Sequence, residues 1–160
     1  MVAYPIETIE VTEKPNTTRV TQNATLTTFK LFNGNSNKDT LVLPYKLFQF
    51  KDASNSFEPY TGQSEEIATN SYRQIIHHSL YNPYGKLSFT TDINGVSTGY
   101  YWGYKSQYLI GEIKNISQND FLTSTSSIDL NSLSIINSVD PSLMIAKVNT
   151  LRSTFPSTFV

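Results

Sequence analysis

Chemistry in a protein needs ionisable or nucleophilic side chains brought together, and this chain of 160 residues offers few. His77 and His78 are its two histidines. Read as neighbours on a helix they point about 100° apart, which is not the one-face i, i+4 geometry of a helical metal site. No Asp or Glu stands three or four residues from either one. Asp92 and Asn94 in "DINGVSTG" have the D-x-N spacing that opens a calcium loop, but the later ligands and the closing Glu are missing. "GQSEE" and "NPYGKLS" carry fragments of a phosphate loop without the full G-x-x-x-x-G-K-S/T spacing. No G-x-S-x-G elbow presents a serine nucleophile. With no cysteine anywhere, thiol catalysis, zinc–thiolate sites and disulfides are excluded. The expectation is a protein that is not an enzyme and takes no metal or cofactor.

Binding rather than catalysis is suggested by "STGYYWGYKSQY", Ser97 to Tyr108, which holds four tyrosines and the only tryptophan. Asn94-Gly95 just before it is the preferred pair for a two-residue type I′ hairpin turn. That turn sets Ile93 opposite Val96, Thr91 opposite Thr98, Phe89 opposite Tyr100 and Leu87 opposite Trp102, all on one side. Three aromatics buried together contribute on the order of 10 kcal/mol, so this side is expected in the core or at a subunit interface. Tyr101 on the other side, with Tyr104 and Tyr108 beyond it, is left as the expected surface contact. These three suit stacking on sugar rings, and a carbohydrate-binding, host-recognition module with a glycan partner is the alternative reading.

The elements that must carry these residues are mostly strands. "ATLTTFKLF" and "TLVLPYKLFQFK" are rich in β-branched and aromatic residues and flank the turn-forming Asn33–Asp39 segment, and "SQYLIGEIKNI" follows as a further strand. Pro44 limits its strand to an edge or a bulge. A helix is predicted over about 64–81, with Ser64 as cap, Pro83 beyond its end and an apolar stripe at Ala68, Tyr72, Ile75, Ile76 and Leu80. A second is predicted over 140–152, with Asp140 as cap, Pro141 first inside, and Met144, Val148 and Leu151 buried. Between them, 116–138 reads as a Ser/Thr-rich loop followed by an apolar stretch of undecided type. The expected fold is α+β and β-dominated, an antiparallel sandwich or barrel-like sheet with two helices and extended terminal arms. The divisions are an N-terminal arm 1–18, one β-rich domain 19–152 and a C-terminal tail 153–160.

Ile6, Ile9 and Val11 in the first arm, and Phe155 and Phe159 in the tail, are candidate contacts with a neighbouring molecule, the arm adding a strand there or lying along its own sheet. Formal net charge is -1, so attraction to nucleic acid is not expected. Charged residues are only 16%, while Asn, Ser and Thr make up about a third, giving a neutral polar surface suited to packing among subunits. No run nears the 18 apolar residues of a membrane span, and the N-terminus lacks a secretion signal. Arms, neutral surface, β-rich body and lack of a catalytic constellation together resemble virion proteins of tailed phages, of the tail, neck or baseplate class. That resemblance implies a non-catalytic structural subunit in a virion assembled in the host cytoplasm, partnered by copies of itself and other assembly proteins.

Overall fold

The computed structural model describes residues 6–13, 20–34, 40–51, 57–61, 71–127 and 141–155. Seven strands, β1 (Ile6–Thr12), β2 (Val20–Asn33), β3 (Thr40–Phe50), β4 (Tyr72–Tyr81), β5 (Leu87–Asp92), β6 (Ser97–Gly103) and β7 (Tyr108–Lys114), precede two helices, α1 (Gln118–Ser127) and α2 (Pro141–Thr154). The strands form one sheet in chain order, with β1 and β7 at its ends. The fold is therefore α+β and β-dominated. Its contacts divide into two compact units, the first holding β1–β3 and most of β4, the second the end of β4 with β5–β7 and both helices.

In the first unit, Ala24, Leu26 and Thr28 of β2 are buried at every second position, the period of a strand with one face inward. Ala24 and Leu26 pack with Phe48 and Tyr72, and Phe50, Phe57 and Tyr60 close over them. Phe57 stands edge-on to both Phe50 and Tyr72, with ring centroids 5.4 and 5.8 Å away. β3 lies between β2 and β4 in the sheet, and its bulge falls between Leu47 and Phe48, three residues beyond Pro44.

One expectation changes in this unit, and of the two placements open to the N-terminal arm one is taken. The helix predicted over 64–81 is replaced from Tyr72 onward by β4, which pairs antiparallel with β3 from Lys46–His77 to Phe50–Tyr72. Ile75, Ile76 and the flanking tyrosines are strand formers, and an available ladder on β3 outweighs a stripe that also satisfies helical spacing. Ser64 and Ala68 lie outside the described residues. The N-terminal arm is, over Ile6–Thr12, the edge strand of its own sheet, pairing with β2 from Ile6–Thr27 to Thr12–Val20.

In the second unit the turn at Asn94-Gly95 forms, but with one more residue than two. Asp92 N donates to Val96 O at 3.0 Å and Gly95 N to Asp92 O at 3.1 Å, so Ile93, Asn94 and Gly95 form a three-residue loop. Gly95 alone takes the left-handed conformation, φ +78°, while type I′ needs two such residues. The Asp92 carboxylate fixes this choice by accepting from Asn94 N (2.8 Å) and Val96 N (2.9 Å). One extra residue shifts the register: Phe89 faces Gly99 and Thr91 faces Ser97. The shared face therefore carries Phe89 and Tyr101, 2% and 3% exposed, rather than Phe89, Tyr100 and Trp102.

Phe89, Tyr101, Ile113, Ile116, Phe121 and Leu151 make this core, with Val148 and Phe155 packed against it. α2 thus buries the predicted Val148 and Leu151, joined by Phe155 one turn on. Asp140 and the side chain of Met144 lie outside the described residues. α1 occupies the part of 116–138 read as a loop. Ser117 caps it, accepting from Asp120 N at 3.0 Å and donating to Asp120 Oδ2 at 2.7 Å, a reciprocal pair that orders the first turn. Beyond Phe155 the tail, with Phe159, lies outside the described residues.

Candidate functional site

The register decides which aromatics meet solvent. Tyr101, expected at the surface, is a core residue whose hydroxyl lies 3.2 Å from Ser124 Oγ, and its burial raises the phenol's pKa. Tyr108 is 63% exposed. Tyr104 is half-buried against the core, its ring edge-on to Tyr108 at 5.7 Å. Between them the β6–β7 loop holds Tyr104, Lys105 and Ser106 in succession at φ 52°, 55° and 62°, a conformation that disfavours side chains. Ser106 is buried and accepts from Asn82 Nδ2 at 2.7 Å, while Asn82 Oδ1 accepts from Tyr84 N and Lys86 N, both at 3.0 Å. One asparagine thereby secures both the β4–β5 turn and the strained loop.

Strand alternation sets Thr98, Tyr100 and Trp102 on the side of β6 away from Phe89. Trp102 is half-buried, its Nε1 donating to Leu87 O at 2.7 Å, with Lys86 Nζ 5.8 Å from its ring centroid. Tyr100 pairs with Glu112 on β7; burial first, then the Glu112 charge, raises its pKa. Lys114 Nζ meets Glu112 at 3.4 Å on the same side. A cleft of about 200 Å³ is lined by residues of β4, the β4–β5 turn, β5, β6 and α1, among them Tyr81, Ser88, Tyr101, Trp102, Phe121 and Thr125. Burial pushes the Tyr81 phenol up to about 12.

The residues singled out for other chemistry are engaged elsewhere. His77 and His78 lie on a strand, so they face opposite sides of the sheet: His77 is edge-on to Tyr45 at 4.9 Å, and His78 Nδ1 is 3.2 Å from Thr90 Oγ1. Asp92 serves its own turn. Among the described residues no three His, Asp or Glu side chains gather as a metal site, and no helix is long and apolar enough to cross a membrane.

A second surface lies on β1. Ile6, Ile9 and Val11 are 60%, 38% and 42% exposed, and among the described residues no strand pairs with the far side of β1. Its charge is partly withdrawn: Glu7 Oε1 accepts from Tyr72 OH at 2.6 Å and Tyr60 N at 3.0 Å. Of the expected contacts, then, Ile6, Ile9, Val11 and Tyr108 are exposed, Tyr104 and Phe155 half-buried, and Tyr101 enclosed. Sequence reasoning assigned Tyr100 and Trp102 to the core and passed over Tyr81 and Ser88; Asp92, ahead of Ile-Asn-Gly at the first position of a type I turn, was the signal for the longer loop. No family model matches the chain, and neither the curated proteins nor the solved structures yield a match.

Proposed function

We propose that the chain is a non-catalytic structural subunit of a larger protein assembly, joined to its neighbours through β1. The observation that carries this reading is the open edge of β1, which no strand covers among the described residues and which carries exposed Ile9 and Val11 on one face and exposed Ile6 on the other. Soluble proteins blunt such an edge with charged side chains, Pro or bulges. Ile6–Thr12 has no Lys or Pro, and of its two carboxylates Glu7 is engaged by Tyr72 OH and Tyr60 N, leaving Glu10 beside the register shift at Glu10/Val11. An added strand would satisfy the edge and flank the aliphatic side chains, Ile9 and Val11 on one face and Ile6 on the other.

Magnitudes favour many contacts over one. Burying the remaining aliphatic surface contributes about 2–4 kcal/mol, below or level with the roughly 4–15 kcal/mol that association costs. The joint becomes durable when repeated around a closed ring or along a tube. The compositional resemblance to phage tail, neck and baseplate proteins supports the same reading.

Native mass measurement and negative-stain imaging across a concentration series test it. The expected result is a defined oligomer lost in Ile9→Lys and in Thr8→Pro. A chain that stays monomeric at every soluble concentration would overturn the proposal.

A further inference from the structure

In a chain of formal net charge -1, β2, β3 and β4 carry Lys30, Lys46 and Arg73 and not one Asp or Glu. The two lysines converge on one ring: Lys30 Nζ stands 4.8 Å from the Tyr45 centroid and Lys46 Nζ 5.2 Å. Their nitrogens are therefore no farther apart than those two distances laid end to end. Plain alternation would send Tyr45 and Lys46 to opposite faces, but the ladder around Lys46 is irregular. Thr28 Oγ1 accepts from Lys46 N at 3.2 Å and donates to Lys46 O at 3.4 Å, and the pairing with β4 shifts between Leu47 and Phe48. His77, paired with Lys46, sets its ring edge-on to Tyr45 and braces it. Arg73 is turned to Gln49 and takes no part.

Among the described residues neither ammonium group meets a carboxylate, and both rest on the Tyr45 ring. An aromatic ring attracts a cation through its quadrupole but carries no net charge, so two cations sharing one ring still repel each other. A negative group between them is attracted by both. Two lysines match two charges, whereas a nucleic acid is held by many phosphate contacts at once. β1, next to β2, also sets Glu7 and Glu10 against a long polyanion. A lone carboxylate would leave one lysine unmatched. Lysine meets phosphate oxygens as a point charge and needs no planar fork to do so.

We propose that Lys30 and Lys46 bind one compact dianion of phosphate type, free phosphate or a phosphate monoester, held between the two ammonium groups beside the Tyr45 ring. The site lies on β2 and β3 and does not require β1 to be joined to a neighbour.

Backbone amide NMR signals of the full chain are followed at about pH 8, above the second pKa of a phosphate monoester near 6. Sodium phosphate, glycerol phosphate, acetate and a thymidine oligonucleotide are added in turn, with chloride holding the ionic strength constant. Phosphate or glycerol phosphate is expected to move the signals around Lys30, Tyr45 and Lys46 saturably, with Kd of roughly 1–10 mM; the tighter of the two tells the free anion from the ester. Lys30→Gln and Lys46→Gln should each weaken Kd about fivefold, and Lys30→Arg should keep it. Lys114→Gln, whose ammonium pairs with Glu112, should leave it unchanged. The proposal is overturned by the lack of a saturable shift from either phosphate up to about 50 mM, or by an equal response to acetate. A response confined to the oligonucleotide, or a Kd unmoved in the folded Lys30→Gln and Lys46→Gln proteins, would overturn it as well.

Discussion

The ring of Phe121 rests on the bare Cα of Gly99: a Cβ built at Gly99 would stand 2.6 Å from Phe121 Cε2 and closer still to Cδ2. α1 approaches β6 this tightly because position 99 has no side chain. Phe121 cannot swing aside, being wedged beside Phe89 and Tyr101 with ring centroids 5.4 and 5.1 Å away. Gly99→Ala should therefore cost about 2–3 kcal/mol. Adding Phe121→Leu should recover part of that loss, read as a non-additive double-mutant cycle in urea.

The β5–β6 loop gives a second test. At Gly95, φ +78° is the obstacle, since nothing lies within 4 Å of a built Cβ. Gly95→Ala should cost about 1–2 kcal/mol through the backbone alone. Asp92→Ala removes the acceptor for two backbone N–H groups and should cost about 1–2 kcal/mol. Asp92→Asn keeps an oxygen there and should lose less, measured as urea midpoints.

The hold on β1 can be released chemically. Glu7→Ala leaves the hydroxyl of Tyr72, a residue only 4% exposed, without its acceptor, whereas Tyr72→Phe removes donor and need together. The first should cost about 1–3 kcal/mol and the second less. Amide exchange in residues 6–12 should quicken in both. The Tyr72 pKa is raised by burial first, then by the hydrogen bond and charge of Glu7, so the phenolate should appear at lower pH in Glu7→Gln.

His78 predicts a pH dependence. Burial lowers its pKa below the ordinary 6.5. The unfolded chain therefore takes up a proton in a range where the folded chain does not, and stability must fall as pH drops through about 6.5, levelling once the folded imidazole is also protonated. Urea midpoints from about pH 8 to about pH 5 should show this decline. His78→Asn should make it shallower.

Strand content and α2 were readable in the sequence because the β-branched and aromatic runs on either side of the turn-forming Asn33–Asp39, and the Pro141 start with Val148 and Leu151 a turn apart, are local signals. β4 was not, because Tyr72, Ile75, Ile76 and Leu80 satisfy helical spacing and only the ladder with β3 decides against it. α1 was hidden by its Ser and Thr content, although Ser117 and Asp120 stand at capping distance. At the candidate cleft the sequence located the aromatic cluster but misassigned its members, since the face of each depends on Asp92 bonding to its own loop.

Loop length on β5–β6 acts by parity. Three residues between Asp92 and Val96 turn Tyr101 inward and Trp102 outward, and an even count would exchange them. Deleting one loop residue would thus invert the strand without altering the composition of β6. Evolution of this segment by small insertions and deletions is constrained to steps of two, whereas substitutions at the loop's tip, such as at the exposed Ile93, remain open.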